Sequence, residues 1–237
     1  MECKNKKIVP SHNGEITFDR AKETWNIMKI TSELVEGYER LDNLTPAVSI
    51  FGSARIKEDN RYYKEAVNIA EKLSNHGFTI ITGGGPGMME AGNKGASKGC
   101  SHSVGLNITL PHEQKPNIFQ DISLLYRYFF TRKAMFIKHS MAYVVMPGGF
   151  GTMDELFDIS TLIQTGKKAF MPIILFGKDF WGGLMNWIKT TMIENGVIDR
   201  DDLKILHLVD TVDEVIEIIR DHYNNTYSSE AHSKIVF

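Results

Sequence analysis

Two short apolar runs that each open into a glycine-rich turn and then a helix constrain this chain more than any other feature. The first is Phe78-Thr79-Ile80-Ile81, followed by Thr82-Gly83-Gly84-Gly85-Pro86-Gly87-Met88. The second is Ala142-Tyr143-Val144-Val145-Met146, followed by Pro147-Gly148-Gly149-Phe150-Gly151-Thr152-Met153-Asp154-Glu155. Runs of this composition bounded by glycine and proline read as buried strands. Glycine lets backbone N–H groups approach an anion closely, and the positive end of a helix dipole favours the same charge. Strand, glycine turn and helix therefore make a site for a phosphate group, and two of them predict a nucleotide-sized ligand.

The remaining pattern alternates in the same way. A strand over 47–51 ends in the small-residue turn Gly52-Ser53-Ala54, and a helix over 62–76 repeats Ala66, Ile69, Ala70 and Leu73 before stopping at Gly77. Helices over 88–98, 129–139 and 152–164 and strands near 103–106, 122–125 and 171–176 follow, then helices over 181–193 and 212–223. A proline-bounded loop is expected over 107–121. This alternation predicts an α/β fold: a Rossmann-like, doubly wound, mostly parallel sheet with helices on both faces, which binds its ligand at the carboxyl ends of the strands. Ahead of it, Ile27, Ile30, Leu34, Tyr38 and Leu41 recur at helical spacing and predict an N-terminal amphipathic helix over 19–41. The expected organisation is an N-terminal extension (1–45), a nucleotide-binding catalytic domain (46–223) and a polar, loosely ordered tail (224–237).

Composition narrows the partners. A formal charge of −2 over 237 residues provides no basic stripe for a polynucleotide, so no nucleic acid is expected. Cys3 and Cys100 stand far apart without metal-ligand spacing, which argues against a disulfide framework or a zinc site and for a reducing cytoplasm. No apolar segment follows the lysines of residues 1–7, and no run approaches the roughly 18–20 apolar residues that span a bilayer, so neither export nor membrane insertion is expected.

Two charged residues stand out against apolar surroundings. Glu155 closes the pattern Thr152-x-x-Glu155, which is a capping box when read locally. Yet Ile159 and Leu162 follow it on the same helical face, and a carboxylate in line with buried positions needs a partner or a task. Arg132 has Phe129, Met135, Phe136 and His139 at helical spacing instead of acids. It is either a stem covering apolar surface or a guanidinium fork for a phosphate, a base edge or Glu155 itself. His139 reads as a packed histidine.

Arg132-Lys133-x-Met135, upstream of Pro-Gly-Gly-x-Gly-Thr-x-x-Glu, resembles the signature of the LOG family, the cytokinin riboside 5'-monophosphate phosphoribohydrolases once labelled lysine decarboxylases. Ser49-Ile50-Phe51-Gly52-Ser53, the Gly83 to Met89 turn and Leu110-Pro111-x-Glu113 resemble further family motifs, and the likeness extends over 46–223. The resemblance implies a Rossmann-like homodimer or higher homo-oligomer. It would cleave the N-glycosidic bond of AMP or an N6-modified adenosine 5'-monophosphate, with neither metal nor cofactor. It assigns Arg132 and Glu155 as the catalytic pair. Lys133, Gly149, Gly151 and Thr152 are implied phosphate-side contacts, and Glu113 and Thr161 further substrate contacts. Gly52, Ser53, Gly84, Gly85, Gly87, Met88, Gly148, Phe150, Met153 and Asp154 complete the implied binding set. A carboxylate beside the anomeric carbon can stabilise oxocarbenium charge and orient or deprotonate water. Arg132 could hold that carboxylate, donate to the departing base, or do both. The main alternative is a non-catalytic nucleotide or molybdenum-cofactor carrier of related fold. A decarboxylase would need pyridoxal phosphate on a lysine, and no motif gives Lys133 or Lys138 that role.

Overall fold

A computed structural model describes residues 20–44, 46–110 and 115–233. Strands β1 (Ala47–Phe51), β2 (Thr79–Thr82), β3 (Ser103–Ile108), β4 (Ile122–Tyr126), β5 (Ala142–Val145), β6 (Ile173–Phe176) and β7 (Leu206–Val209) form one sheet in the order β4-β3-β2-β1-β5-β6-β7. Every pairing is parallel. A parallel sheet needs cover on both faces. Helices α2 (Arg61–Asn75), α3 (Met88–Ala96) and α7 (Val212–Ser233) supply it on one side, and α1 (Arg20–Leu41), α4 (Phe129–His139), α5 (Phe150–Gln164) and α6 (Lys178–Trp187) on the other.

Strand alternation feeds the two cores. Val48 and Ile50 of β1, with Ala142 and Val144 of β5, pack under Ile69, Leu73, Ala91 and Val215. Ala47, Phe51, Tyr143 and Val145 point the other way, under Phe136, Leu156, Ile159 and Trp181. The α/β doubly wound expectation therefore holds, with most of the predicted strands and helices displaced by only a few residues.

Four expectations need correction. The sequence reading has no strand at β7, where Leu206, His207 and Leu208 are only half-buried, so the apolar signal of an edge strand is diluted. The expected loose tail is helical as far as Ser233, because α7 continues past Tyr223, whose ring packs edge-on against Phe78; residues 234–237 lie outside the described residues. Strand β3 runs on to Ile108, taking the start of the expected 107–121 loop into the sheet. The helix expected over 181–193 begins at Lys178 and ends in a π-helical turn, Ile188–Met192.

The inward face of α1 is rotated from the expected one. Leu34 and Leu41 point in, but Ile27 and Tyr38 are 63% and 45% exposed, and Glu33 is buried. Glu33 accepts from the backbone N–H of Arg127 (2.9 Å) and from Thr131 Oγ1 (2.7 Å), at the start of α4. Tyr128, the residue preceding the first turn of α4, makes no side-chain cap. The N-terminal extension thus lends α4 the carboxylate that its own sequence lacks, where the helix dipole favours negative charge. Among the described residues, no helix is long and apolar enough to cross a membrane.

Replacing Glu33 by alanine strands the Arg127 N–H and loosens α1 from α4, with an expected loss of about 1–3 kcal/mol in urea unfolding. Glu33→Gln keeps an acceptor and is expected to lose less than half of that. Equal stability of Glu33→Ala and the parent protein would show that the contact does not hold the helices together.

Candidate active site

Strand order reverses between β1 and β5, so the chain leaves their carboxyl ends in opposite directions and a crevice opens above them. Two backbone bonds hold its floor: Met146 N–H to Phe51 O (2.8 Å) and Ser53 N–H to Pro147 O (3.0 Å). A Cβ on Gly52 would come within 2.6 Å of Met88 Cβ and 3.0 Å of Met146 Cβ, so only glycine lets these layers close. The resulting cleft is about 750 Å³. One wall is the turn Gly148, Gly149, Phe150, Gly151 and Thr152, another Gly52 to Arg55, and the apolar remainder includes Met89, Ile108, Leu110, Phe129 and Phe136.

The capping-box reading of Thr152 and Glu155 is overturned. Helix α5 starts at Phe150 with Gly149 preceding it and no side-chain cap, and the N–H groups of Thr152 and Met153 both donate to Gly149 O at 3.0 Å. Thr152 is already inside the first turn, so the Glu155 side chain is free of the helix start and turns into the cleft.

There it meets Arg132, whose Nη2 lies 3.6 Å from Glu155 Oε1, with the two side chains 13% and 10% exposed. The guanidinium sits over the rings of Phe129 and Phe136, at 5.3 and 5.8 Å from their centroids, and its buried Nε finds no acceptor. Burial pushes the Glu155 carboxyl up to about 7, against the opposing pull of Arg132 and Lys133. Burial also lowers Arg132, though a guanidinium keeps its charge in proteins. Desolvation outweighs the attraction because the pair stands beyond hydrogen-bonding distance. The outcome is a carboxyl poised between its two protonation states at neutral pH, beside a fixed cation.

The other expected site residues divide by position. Gly52, Ser53, Gly148, Gly149, Phe150, Gly151, Thr152 and Met153 line the cleft with the acid and the arginine. The second glycine turn contributes less than expected. Gly83 and Met89 reach the cleft, whereas Gly84, Gly85, Gly87 and Met88 are buried beneath it. Gly84 O accepts from Asn117 N–H (2.9 Å), Asn117 Nδ2 (3.0 Å) and Gln120 Nε2 (2.7 Å). Gly87, at φ 67°, presses against the Ser53 carbonyl, and Met88 N–H donates to that oxygen at 3.0 Å. This turn supports the first one from below.

Lys133 is not in the lining. Its amine meets Asp154 at 2.9 Å and Asp158 at 3.4 Å. Burial alone would lower it, but those acids and Glu155 raise it instead. Thr161 is exposed and donates to Phe157 O, away from the cleft. Glu113 and Pro111 lie outside the described residues. His139 is packed edge-on against Tyr38, far along α4 from Arg132. The sequence reading missed Arg55, which directly follows the Gly52-Ser53-Ala54 turn; a cation placed there was the available signal. No group of metal-ligating side chains gathers among the described residues.

Fold and cleft together define a Rossmann-like α/β protein carrying an acid–guanidinium pair beside a glycine turn that opens a helix. Residues 89–219 match the family model described as possible lysine decarboxylase, more than half of the chain. The chain belongs to that family, the LOG family. An Arabidopsis thaliana cytokinin riboside 5'-monophosphate phosphoribohydrolase is 26% identical over 175 residues, covering 72% of this chain and 80% of the relative. A probable enzyme of the same name from Oryza sativa subsp. japonica is 23% identical over 214 residues, covering 89% and 82%. The fold is shared with a molybdenum cofactor carrier protein from Chlamydomonas reinhardtii (TM-score 0.54, 20% identity, 75% of this chain and 98% of that one). A molybdenum cofactor binding protein from Rippkaea orientalis gives the same TM-score at 20% identity, over 74% and 94%.

The folded chain holds the Glu155 proton up to about 7, the unfolded chain only to an ordinary 4.5. Between those values the folded state binds the extra proton. Stability is therefore fully present below about 4.5 and falls as pH rises through 7, by roughly 3 kcal/mol. In urea titrations from pH 4.5 to 8, Glu155→Gln is expected to lack that decline and gain on the parent protein as pH rises. Parallel pH profiles for the two would show that the carboxyl is not held in an unfavourable charged state.

Proposed function

We propose that this protein hydrolyses the N-glycosidic bond of a nucleoside 5'-monophosphate, AMP or an N6-modified adenosine 5'-monophosphate, to free base and ribose 5-phosphate. The observation that carries the reading is Glu155, a carboxyl buried beside Arg132 where a glycine turn opens helix α5. The names of the relatives support the same chemistry, and the size and mixed lining of the cleft suit a phosphate at one end and a purine against apolar side chains at the other.

The mechanism follows from charge. As the C1'–N bond lengthens, its electron pair leaves with the base and positive charge grows on the ribose. Ionised Glu155 stabilises that charge and takes a proton from the water whose oxygen bonds to C1'. The base recovers a proton from solvent through the open mouth. Arg132 orients the carboxylate through Nη2, and its remaining Nη–H groups are donors for the base or the ribose. The ligand phosphate is held by N–H groups at the start of α5 and by Thr152.

The enzyme acts in this reading as a cytoplasmic homodimer or higher homo-oligomer. Phe129, Phe130, Phe150 and Phe157, each at least 40% exposed, offer apolar surface on α4 and α5 for a second copy. A decarboxylase is disfavoured by lysine placement: Lys133 is tied to two aspartates and Lys138 lies over Tyr38, outside the cleft. A pure carrier has no evident use for an acid whose ionisation burial opposes.

Purified protein given AMP and a panel of 5'-nucleotides is expected to release free base, followed by chromatography. Glu155→Gln should lower kcat by about 10²–10⁴-fold with binding within about threefold of the parent, since its contribution is made at the transition state. The parent kcat/KM should fall about tenfold per pH unit below about 7, where Glu155 takes up its proton. Nucleotide binding without release of base would leave a carrier in place of the enzyme.

A further inference from the structure

Among the described residues, the cleft contains one cation, Arg55, that no carboxylate answers. Arg132 faces Glu155, and Lys133, just behind the wall, faces Asp154 and Asp158. Arg55 lies on the opposite wall, at the carboxyl end of β1, and is exposed. Among the described residues its guanidinium meets no carboxylate, and its backbone N–H donates to Ser53 Oγ at 3.1 Å, which fixes the start of its side chain at the cleft edge. The backbone beneath it is firmly set, because Ser53 is bonded to Pro147 on one side and to Met88 on the other.

The other described residues of the cleft do not supply the charge to neutralise a dianion. The glycine turn offers N–H dipoles and a hydroxyl, a partial charge only, and the acid–arginine pair as a unit carries less than one positive charge, because Glu155 offsets Arg132 in its ionised form. We propose that Arg55 is the residue that selects a phosphorylated ligand: its guanidinium closes on the terminal phosphate from the β1 side while the turn at Gly149 to Thr152 holds it from the β5 side. This rests on the reading of the cleft as a nucleoside 5'-monophosphate site and assigns the phosphate charge a specific partner. A planar fork fits phosphate oxygens in pairs, which an ammonium cannot reproduce. The ligand class is a small molecule with a dianionic monophosphate, and an unphosphorylated nucleoside gains nothing from this residue.

The test uses the whole chain and two probes, ribose 5-phosphate and adenosine, with binding measured by calorimetry at low and moderate salt. Arg55 is exposed, so Arg55→Ala is expected to melt at the parent temperature. It should bind ribose 5-phosphate about 10–100-fold more weakly, the effect of removing a charge-assisted hydrogen bond, with a shallower salt dependence. Arg55→Lys should recover part of the loss, and adenosine binding should not change. With AMP as substrate, the loss should appear in KM with kcat retained. Unchanged ribose 5-phosphate affinity in Arg55→Ala, or an equal loss for adenosine, overturns the assignment. If the parent protein binds ribose 5-phosphate through Arg55 but releases no base from any nucleotide, the assignment stands and the hydrolase reading fails.

Discussion

The reversal of strand order between β1 and β5 is the constraint on which the rest depends. Parallel strands present all their carboxyl ends on one edge, and only where neighbouring connections diverge does that edge open into a crevice. Here the crevice is kept narrow by the Ser53 N–H bond to Pro147 and by Gly52 lying against Met88 and Met146. Those contacts set the separation between the two walls, and every candidate functional residue is measured from one wall or the other.

Within that frame the chemistry comes from a conflict between packing and charge. Helix α5 buries Leu156, Ile159 and Ile163 against the sheet, and the same face carries Glu155 out of water. Helix α4 buries Met135 and Phe136 and brings Arg132 with them. Neither charge would be stable alone at such depth. At 3.6 Å they relieve one another only partly, which leaves a carboxyl that can exchange its proton near neutral pH. The geometry of the pair depends on how α4 is held, and α4 is held from outside by Glu33 of α1. The N-terminal helix thus contacts the start of the helix that carries Arg132 without lining the cleft.

The two glycine turns divide the labour unequally. The turn after β5 is exposed to the cleft and begins a helix there. The turn after β2 is mostly buried, and its carbonyls are bound by Asn117 and Gln120 from the segment leading into β4. Asn117 also donates to Asn93, which bonds Ser103 and Val104 of β3, so a network of buried carboxamides braces this side of the crevice. The glycines of that turn serve close packing: a side chain on Gly84 would strike Asn107, and one on Gly87 would strike the Ser53–Ala54 backbone.

By itself the amino-acid sequence determined the alternation of strand and helix, the parallel sheet, both glycine turns and the odd placement of Glu155 and Arg132 on apolar stripes. These are local properties: hydrophobic period, glycine content and charge within one or two turns of helix. Only the tertiary structure decided that Thr152 is not a cap, that Glu155 faces Arg132 across two helices, that Lys133 is occupied by Asp154 and Asp158, and that Arg55 shares their cleft. The edge strand β7 and the rotated inward face of α1 belong with these. Each depends on which surface a residue meets across the sheet or from another helix, and a one-dimensional pattern holds no record of that distance.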